Sequence, residues 1–562
     1  MFGGIFIVRG RISKLYVIFL SAFCILGAHL FFIQIVNGEE YAMRAAQQST
    51  ETVVLEEVSR GDILDRNLIS LTGGSINDFV IVFPKAIEDP VEIVSELASI
   101  TGLDEETIGG YLDKGTCYIP YPLTPAQAGE IDSRNWQGVT VQSVKLRYGP
   151  RPLANHVLGY LGFPEDSTLQ ALAAGSDKHY RAGDLVGVHG LEKHYEDALK
   201  GTKAVGSVSA YFDAADKLIP GPSFALKDVA PDLGRQDLVL TIDSRIQGEV
   251  ERIMDNTVQN GAVVVMDVHT GDILAMASRP NFDPSPGGAK PMGGDGALLD
   301  QCTSYYQPGS VFKIVIAAAA IEEGMVGSGS EFFCEGAEDD LISCWHKEGH
   351  GEINFAEAFA NSCNPAFARI GLELGAERVI DYAQRFGLGE SNITGYERQA
   401  PILGLEAIGE GYNLVNSSIG QWPVLATPVQ VTAALNTLVN NGVYIEPRLV
   451  KALRYPGGGI AKYFPMGESR KVVSALTARQ MREMMEMVTT DGVGKGAYIE
   501  LFGSAGKTGS AQTEGENPRI DAWFTGYSPL DEPQYVVTVL IKDGVSGSVS
   551  AAPVFREIME NI

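Results

Sequence analysis

The chain has 562 residues, 45% hydrophobic and 20% charged, too long for one ordinary core and too apolar for a disordered protein. A formal net charge of −27 denies it the basic footprint by which proteins grip nucleic-acid phosphates, so no nucleic acid is expected as a partner. Six cysteines are far below the density of a disulfide-built scaffold, and the fold has to rest on packing.

The first predicted element runs from Leu15 to Val36, LYVIFLSAFCILGAHLFFIQIV, with no acidic side chain and no Lys or Arg. That is long enough to cross a bilayer as a helix. A cleaved signal peptide would have a shorter apolar region and a small-residue cleavage site, whereas this run ends in Ile35-Val36-Asn37-Gly38-Glu39. Arg9, Arg11 and Lys14 precede it, and Glu39 and Glu40 follow. The positive-inside rule then makes residues 1–14 a cytoplasmic tail and 15–36 a single-pass anchor in the cell membrane, with the rest of the chain extracytoplasmic.

Residues 40–235 form a mixed α/β region with frequent turns. Its distinctive stretches are Arg60-Gly61-Asp62-Ile63-Leu64-Asp65-Arg66, His156-Val157-Leu158-Gly159-Tyr160 and Gly187-Val188-His189-Gly190-Leu191-Glu192. None pairs a nucleophile with a base, so structural salt bridges and tight turns are expected there.

A second region, 236–562, opens with strand signals. Gly261 to Asp267 reads as a buried strand, Thr270-Gly271-Asp272 as a turn and Ile273 to Ser278 as the hairpin partner. Ala522 to Tyr527 and Tyr535 to Ile541 read as further strands, and helical spacing runs from Val554 to Ile562. Helices are predicted between the strand groups, over Phe312–Glu323, Ile353–Leu374 and Pro428–Asn440. Strands at both ends with helices inserted imply an α+β domain whose sheet is assembled from distant segments.

Three short motifs in this region carry chemistry. Ser310-Val311-Phe312-Lys313 follows Pro308-Gly309 and opens an apolar helix. Ser310 thus sits at a helix start, where free N–H groups favour developing negative charge. Lys313, three residues on, shares its face and can act as a base if desolvated. A second S-x-x-K, Ser504 to Lys507, lies in a glycine-rich run that is a poor helix start. Ser362-Cys363-Asn364 falls between two predicted helices and, taken alone, reads as a capping serine. Lys507-Thr508-Gly509 continues into Ser510-Ala511-Gln512 as an extended strand, with Gly509 open to a close backbone approach. A phosphate-binding loop would need glycine at position 501, which is Leu501. Each motif is weak by itself. Together, in the order S-x-x-K, S-x-N, K-T-G, they mark penicillin-binding proteins and β-lactamases.

From about residue 40 onward the sequence resembles a class B penicillin-binding protein, a monofunctional peptidoglycan D,D-transpeptidase. The matching runs include Arg60 to Arg66, Gly190-Leu191-Glu192, Tyr306 to Lys313, Ser418-Ile419-Gly420-Gln421, Thr427-Pro428-Val429-Gln430, Lys507 to Gln512 and Ala522 to Tyr527. Asp521 stands where that family often has histidine, and Cys363 occupies the variable middle of its second motif. The resemblance implies a transmembrane helix, a dimerisation-like pedestal and a β-lactamase-like serine transpeptidase domain with a five-stranded antiparallel sheet flanked by helices. It implies a catalytic set of Ser310, Lys313, Ser362, Asn364 and Lys507. Thr508, Gly509 and Ser510 would bind substrate, and the backbone N–H groups of Ser310 and Ser510 would form the oxyanion hole. Implied partners are stem peptides ending in D-Ala-D-Ala, β-lactams, and a membrane-embedded glycosyltransferase of the SEDS type. The chemistry requires no metal or organic cofactor. A D,D-carboxypeptidase or a β-lactam sensor would use the same acylating serine, although no deacylating glutamate can be assigned to Glu390 or Glu397. The resemblance leaves open a role in elongation, division or sporulation.

Cys334 and Cys344 stand close together before Trp345-His346-Lys347-Glu348-Gly349-His350. For an exterior segment a disulfide between them is the expectation. A zinc site with His346 and His350 and a pair of free thiols are the alternatives, the spacing not being that of a standard finger.

Overall fold

The structure is a computed structural model, and the residues it describes are 3–37, 50–54, 60–74, 76–149, 151–176, 178, 180, 184–202, 207–212, 218, 224–227, 232–285, 296–389, 393–396, 404–513 and 519–562. The chain divides into two compact units, one comprising residues 1–57, 76–145 and 204–230, the other 58–75, 146–203 and 231–562.

In the first unit, a helix over Gly3–Phe31 passes into a π-helical turn at Phe32–Val36. Its segment Lys14–Phe31 is unburied and apolar enough to span a membrane. Ile76–Val82 forms the middle strand of a three-stranded antiparallel sheet between Cys117–Tyr118 and Val139–Lys145. Val80 and Val82, two residues apart on one face, pack in a small core with Ile93 and Leu97 from helix Pro90–Thr101, Ile108 and Leu112 from Glu105–Asp113, and Ile131 from Pro125–Arg134. All three helices begin on side-chain caps, from Asp89, Asp104 and Thr124. A second sheet joins Thr50–Val54, Ser207–Tyr211 and Phe224–Lys227.

The second unit is built on a five-stranded antiparallel sheet. Its strands are β1 (Gly261–Asp267), β2 (Ile273–Arg279), β3 (Ala505–Gln512), β4 (Ile520–Ser528) and β5 (Tyr535–Ile541), in the spatial order β2-β1-β5-β4-β3. Strands β1, β2 and β5 read as nearly continuous apolar runs because both faces are covered. The two-residue period sends Val263, Val265, Phe524, Val537 and Val539 to one side, against helices α1 (Ser244–Thr257) and α7 (Ala552–Asn561). Ala262, Val264, Met266, Trp523 and Leu540 go to the other side, into the main core. That core holds α2 (Lys313–Glu322), α3 (Phe355–Ala360), α4 (Asn364–Leu374), α5 (Pro428–Val439) and α6 (Ala475–Thr490). Every residue of α5 is buried, and its start is fixed by a capping box between Thr427 and Gln430.

Residues 58–75 and 146–203 belong to this second unit although they precede Gln236. Ile63–Leu64 pairs in parallel with Leu238 and Val239. Arg60 meets Glu192 at 2.7 Å and Glu196 at 2.8 Å, and Arg147 meets Glu192 at 2.6 Å. The Tyr148 hydroxyl donates to the same Glu192 carboxylate. Gly61 is required because a Cβ there would lie 1.8 Å from the Gln236 carbonyl oxygen. The Arg60 and Glu192 motifs are thus the salt bridges and tight turns expected of them.

Candidate active site

Residues Gly309–Phe312 form a 3₁₀ turn that runs directly into α2, so Ser310 lies one turn ahead of the helix proper and Lys313 is its first residue. The turn is held from three directions. Gly309 N–H donates to the Gly420 carbonyl at 2.9 Å, Trp523 Nε1 on β4 donates to the Gln307 carbonyl at 3.1 Å, and Tyr306 pairs with Ala426. Gly420 has φ +76°, and a Cβ on it would sit 1.9 Å from the Gly309 oxygen. The Ser418-Ile419-Gly420-Gln421 run is therefore the backing of the serine turn, a role its sequence did not disclose.

On the other side the turn abuts β3. A Cβ on Gly309 would come within 3.0 Å of the Ser510 carbonyl group, and one on Gly509 within 2.7 Å of the Pro308 oxygen and of Val311 Cγ2. Gly509 thus admits the serine turn itself against the strand, a closer neighbour than the substrate backbone anticipated for it. Strand alternation places Thr508 and Ser510 on one face of β3 and Lys507 on the other. Ser510 is exposed, and its Oγ accepts from Gly547 N–H at 3.1 Å. The competing serine, Ser504, is buried at the start of β3 with its hydroxyl on the Ala497 carbonyl, far from a helix start.

Lys313 is fully buried. Its Nζ donates to Asn364 Oδ1 at 2.7 Å, to the Ser362 carbonyl at 2.8 Å and to Ser362 Oγ at 3.3 Å. Ser362 sits in the turn between α3 and α4 with φ +55°, a strained conformation for a residue with a side chain. Asn364 opens α4, and its amide also donates to the Ser343 carbonyl. Lys507 is equally buried and donates to the Thr508 carbonyl at 3.2 Å. Burial pushes Lys313 down to about 7, opposed by negative charge on Cys363 and Cys344. Burial, and then repulsion from Lys313, push Lys507 well below the ordinary lysine range. Two ammonium groups forced into one dry pocket cannot both hold their protons easily, so a neutral amine near neutral pH follows from the packing.

The structure thus groups Lys313, Ser362 and Asn364 by direct hydrogen bonds, adds Lys507 through charge, and sets Ser310, Thr508, Gly509 and Ser510 around the contact of the serine turn with β3. Asp521, on β4 opposite Ala511, is buried with Oδ1 unpartnered. Burial raises its carboxyl to about 6, against Lys542 and with Asp543. Glu390 and Glu397 lie outside the described residues.

No S–S bond joins Cys334 and Cys344 in the structure, in place of the disulfide expected of them. They cluster with His350 and with Cys363, the middle residue of the Ser362–Asn364 motif, which no feature of the chain order joins to them.

Two family models match the chain. The penicillin binding protein transpeptidase domain covers residues 261–560, and the penicillin-binding protein dimerisation domain covers residues 55–214. Stage V sporulation protein D of Bacillus subtilis (strain 168) is 31% identical, the match spanning 99% of this chain and 85% of that protein. Peptidoglycan D,D-transpeptidase MrdA of Haemophilus influenzae is 28% identical, over 95% of this chain and 89% of that one. Among solved structures, the D,D-transpeptidase domain of a peptidoglycan glycosyltransferase from Eggerthella lenta is 25% identical with a TM-score of 0.57, over 75% of this chain and 92% of that one. A chain from a peptidoglycan synthase complex that coordinates polymerization and crosslinking shares the fold at a TM-score of 0.70 and 24% identity, over 98% of both chains.

Proposed function

We propose, from the premise that this chain belongs to the class B penicillin-binding proteins and cross-links peptidoglycan as a D,D-transpeptidase, that Ser310 is its acylated nucleophile and Lys313 the base that activates it. The observation that carries this assignment is the buried Lys313 amine, pushed down to about 7 and lying one helical turn from the serine. A base is most effective when its pKa lies near the working pH.

Ser310 Oγ attacks the carbonyl between the two terminal D-alanines of a stem peptide, and its proton passes to Lys313 Nζ. The tetrahedral oxyanion takes hydrogen bonds from the Ser310 and Ser510 backbone N–H groups, a reading supported by the close packing of the serine turn on β3, where a Cβ on Gly309 would lie 3.0 Å from the Ser510 carbonyl group. Collapse breaks the peptide bond. Ser362, in hydrogen-bond reach of Lys313, relays the proton to the departing D-alanine amine. Asn364 orients the substrate amide. Thr508 and Ser510 hydroxyls bind the terminal carboxylate, whose negative charge in turn favours the protonated form of the buried Lys507, and Gly509 gives the close strand approach. The amine of a neighbouring stem peptide then attacks the acyl-enzyme and releases the serine. A β-lactam enters by the same acylation.

The apolar N-terminal helix makes the protein a single-pass membrane protein. In the orientation set by Arg9, Arg11 and Lys14 the catalytic unit faces the extracytoplasmic side. There it takes glycan strands from a membrane-embedded glycosyltransferase partner. The test is to incubate the detergent-purified chain with lipid-linked pentapeptide precursor and a glycosyltransferase, then digest and separate the products. Cross-linked dimer is expected. Tetrapeptide monomer without dimer, while glycan polymerises, would make the enzyme a carboxypeptidase.

A further inference from the structure

We infer that Gly547 is a positioning residue, whose backbone N–H turns the Ser510 hydroxyl proton toward the cleft and so makes the enzyme select an anionic chain end. The inference deepens the reading of Ser510 as a ligand of the stem-peptide carboxylate and rests on it. Gly547 N–H donates to Ser510 Oγ at 3.1 Å. A serine hydroxyl has one proton and two lone pairs. With a lone pair taken by Gly547, the hydroxyl rotates so that its proton points away from that amide. No acceptor among the described residues takes this proton, and Ser510 is exposed on β3. The ligand group that completes the hydroxyl is therefore an acceptor. A carboxylate is the strongest such partner, because its charge shortens and strengthens the bond.

The Gly547 amide is free to serve this role and is held in place for it. Gly547 opens the π-helical turn Gly547–Ala551, which leads into α7, and the first N–H groups of a helix have no partner inside it. The residue is buried against β3 and β4. A Cβ on it would lie 2.3 Å from the Trp523 oxygen, 2.4 Å from the Gly509 oxygen and 2.9 Å from the Gly509 nitrogen. Only glycine brings its amide this close to the strand, so Gly509 is pressed by the serine turn and by Gly547 alike.

The turn itself is pinned by hydroxyls. Every second residue of Ser546-Gly547-Ser548-Val549-Ser550 is a serine, and each one makes a hydrogen bond. Ser546 Oγ accepts from Val549 N–H at 3.2 Å, Ser550 Oγ accepts from Val545 N–H at 2.9 Å, and Ser548 Oγ donates to the Val493 carbonyl. Val493 N–H in turn donates at 3.1 Å to the carbonyl of Ala360, at the end of α3 just before the Ser362 turn. One brace thus reaches both Ser510 and the turn that carries Ser362. A donor fixed before the substrate arrives needs no reorganisation when the carboxylate binds.

The test compares two acyl donors on the full chain purified in detergent: benzylpenicillin and its methyl ester, which lacks the negative charge. The readout is the ratio of their acylation rate constants, followed by mass spectrometry of the acyl-enzyme. Wild type should prefer the acid, and Ser510→Ala should lower that ratio ~10-fold, the worth of a hydrogen bond to a charged group. Gly547→Ala, whose methyl pushes the amide off Ser510, should lower the ratio by a similar factor. In the Ser510→Ala background the same substitution should leave the ratio where it is, because its effect passes through the hydroxyl. Ser510→Thr, which keeps a hydroxyl, should retain the preference. If Gly547→Ala does not unfold cooperatively, Ser548→Ala, which frees the turn from Val493, decides in its place, with a fall of ~3-fold expected. A merely structural role would slow both donors alike. An unchanged ratio in the folded variant, while Ser510→Ala shows the loss, would overturn the inference and leave the carboxylate assignment standing. An unchanged ratio in Ser510→Ala would remove both.

Discussion

Replacing Lys313 by methionine should make the protein inactive and slightly more stable. Holding the buried amine at about 7 instead of an ordinary 10.5 costs ~4 kcal/mol of folding free energy at pH 7. The sign follows from proton binding. Between pH 7 and 10.5 the unfolded chain binds this proton more strongly than the folded one, so the penalty is complete below pH 7 and fades as the pH rises to 10.5. Methionine removes the penalty but also three hydrogen bonds to Ser362 and Asn364, each worth about 1 kcal/mol net. The balance at pH 7 is a gain of about 1 kcal/mol, a rise of ~1 °C in melting temperature for a unit of this size. Near pH 9.5, where the wild-type penalty has largely vanished, the order should reverse. Acylation by a fluorescent penicillin should fall ~10²–10⁴-fold in the variant, the usual contribution of a general base. In the wild type a base at about 7 is ~10% neutral at pH 6 and ~90% neutral at pH 8, so the acylation rate should climb about ninefold over that interval. A rate that is flat from pH 6 to 8 in folded enzyme would refute the assignment of Lys313 as base. A methionine variant less stable than wild type at pH 7 and unchanged in rank at pH 9.5 would refute the desolvation argument.

Ser310→Ala should abolish covalent penicillin labelling and leave thermal unfolding unchanged; labelling of the folded variant would place the nucleophile elsewhere. Gly420→Ala puts a methyl where the Gly309 oxygen stands and should displace the serine turn, lowering the acylation rate ~10²-fold with modest loss of stability, as stopped-flow labelling and calorimetry would read. Glu192→Gln leaves Arg147 without its carboxylate and Arg60 with Glu196 alone, and should cost ~3–5 kcal/mol in denaturant unfolding. Burial pushes the Glu192 carboxyl up, but Arg147 and Arg60 hold it below its usual range. Its contribution is therefore present above about pH 4.5 and lost as the pH falls further, so the difference between wild type and variant should shrink in acid.

Features local in the chain were legible in residue order. An unbroken apolar run specifies the N-terminal helix because the length and composition of a span are one-dimensional properties. Continuous Val-rich runs specify strands covered on both faces. That Ser310 and Lys313 stand one turn apart at the opening of a helix was legible because three residues make about one helical turn, and the S-x-x-K copy at Ser504 already read as a poor helix start. The rest depended on packing between distant segments. It brought Ser362 within reach of Lys313 across 49 positions. It set Gly509 against Pro308 and Val311, and made Gly420 the support of the serine turn. It also joined Cys363 to Cys334, Cys344 and His350, where the chain order had offered a Cys334–Cys344 disulfide or, as an alternative, a site with His346 and His350. Above all it moved the Lys313 amine to about 7. Desolvation belongs to the surroundings of a group and not to its residue type, and those surroundings are assembled here from α2, α3, α4 and β3, segments nearly two hundred residues apart in a chain whose order alone does not say which of them will share a pocket.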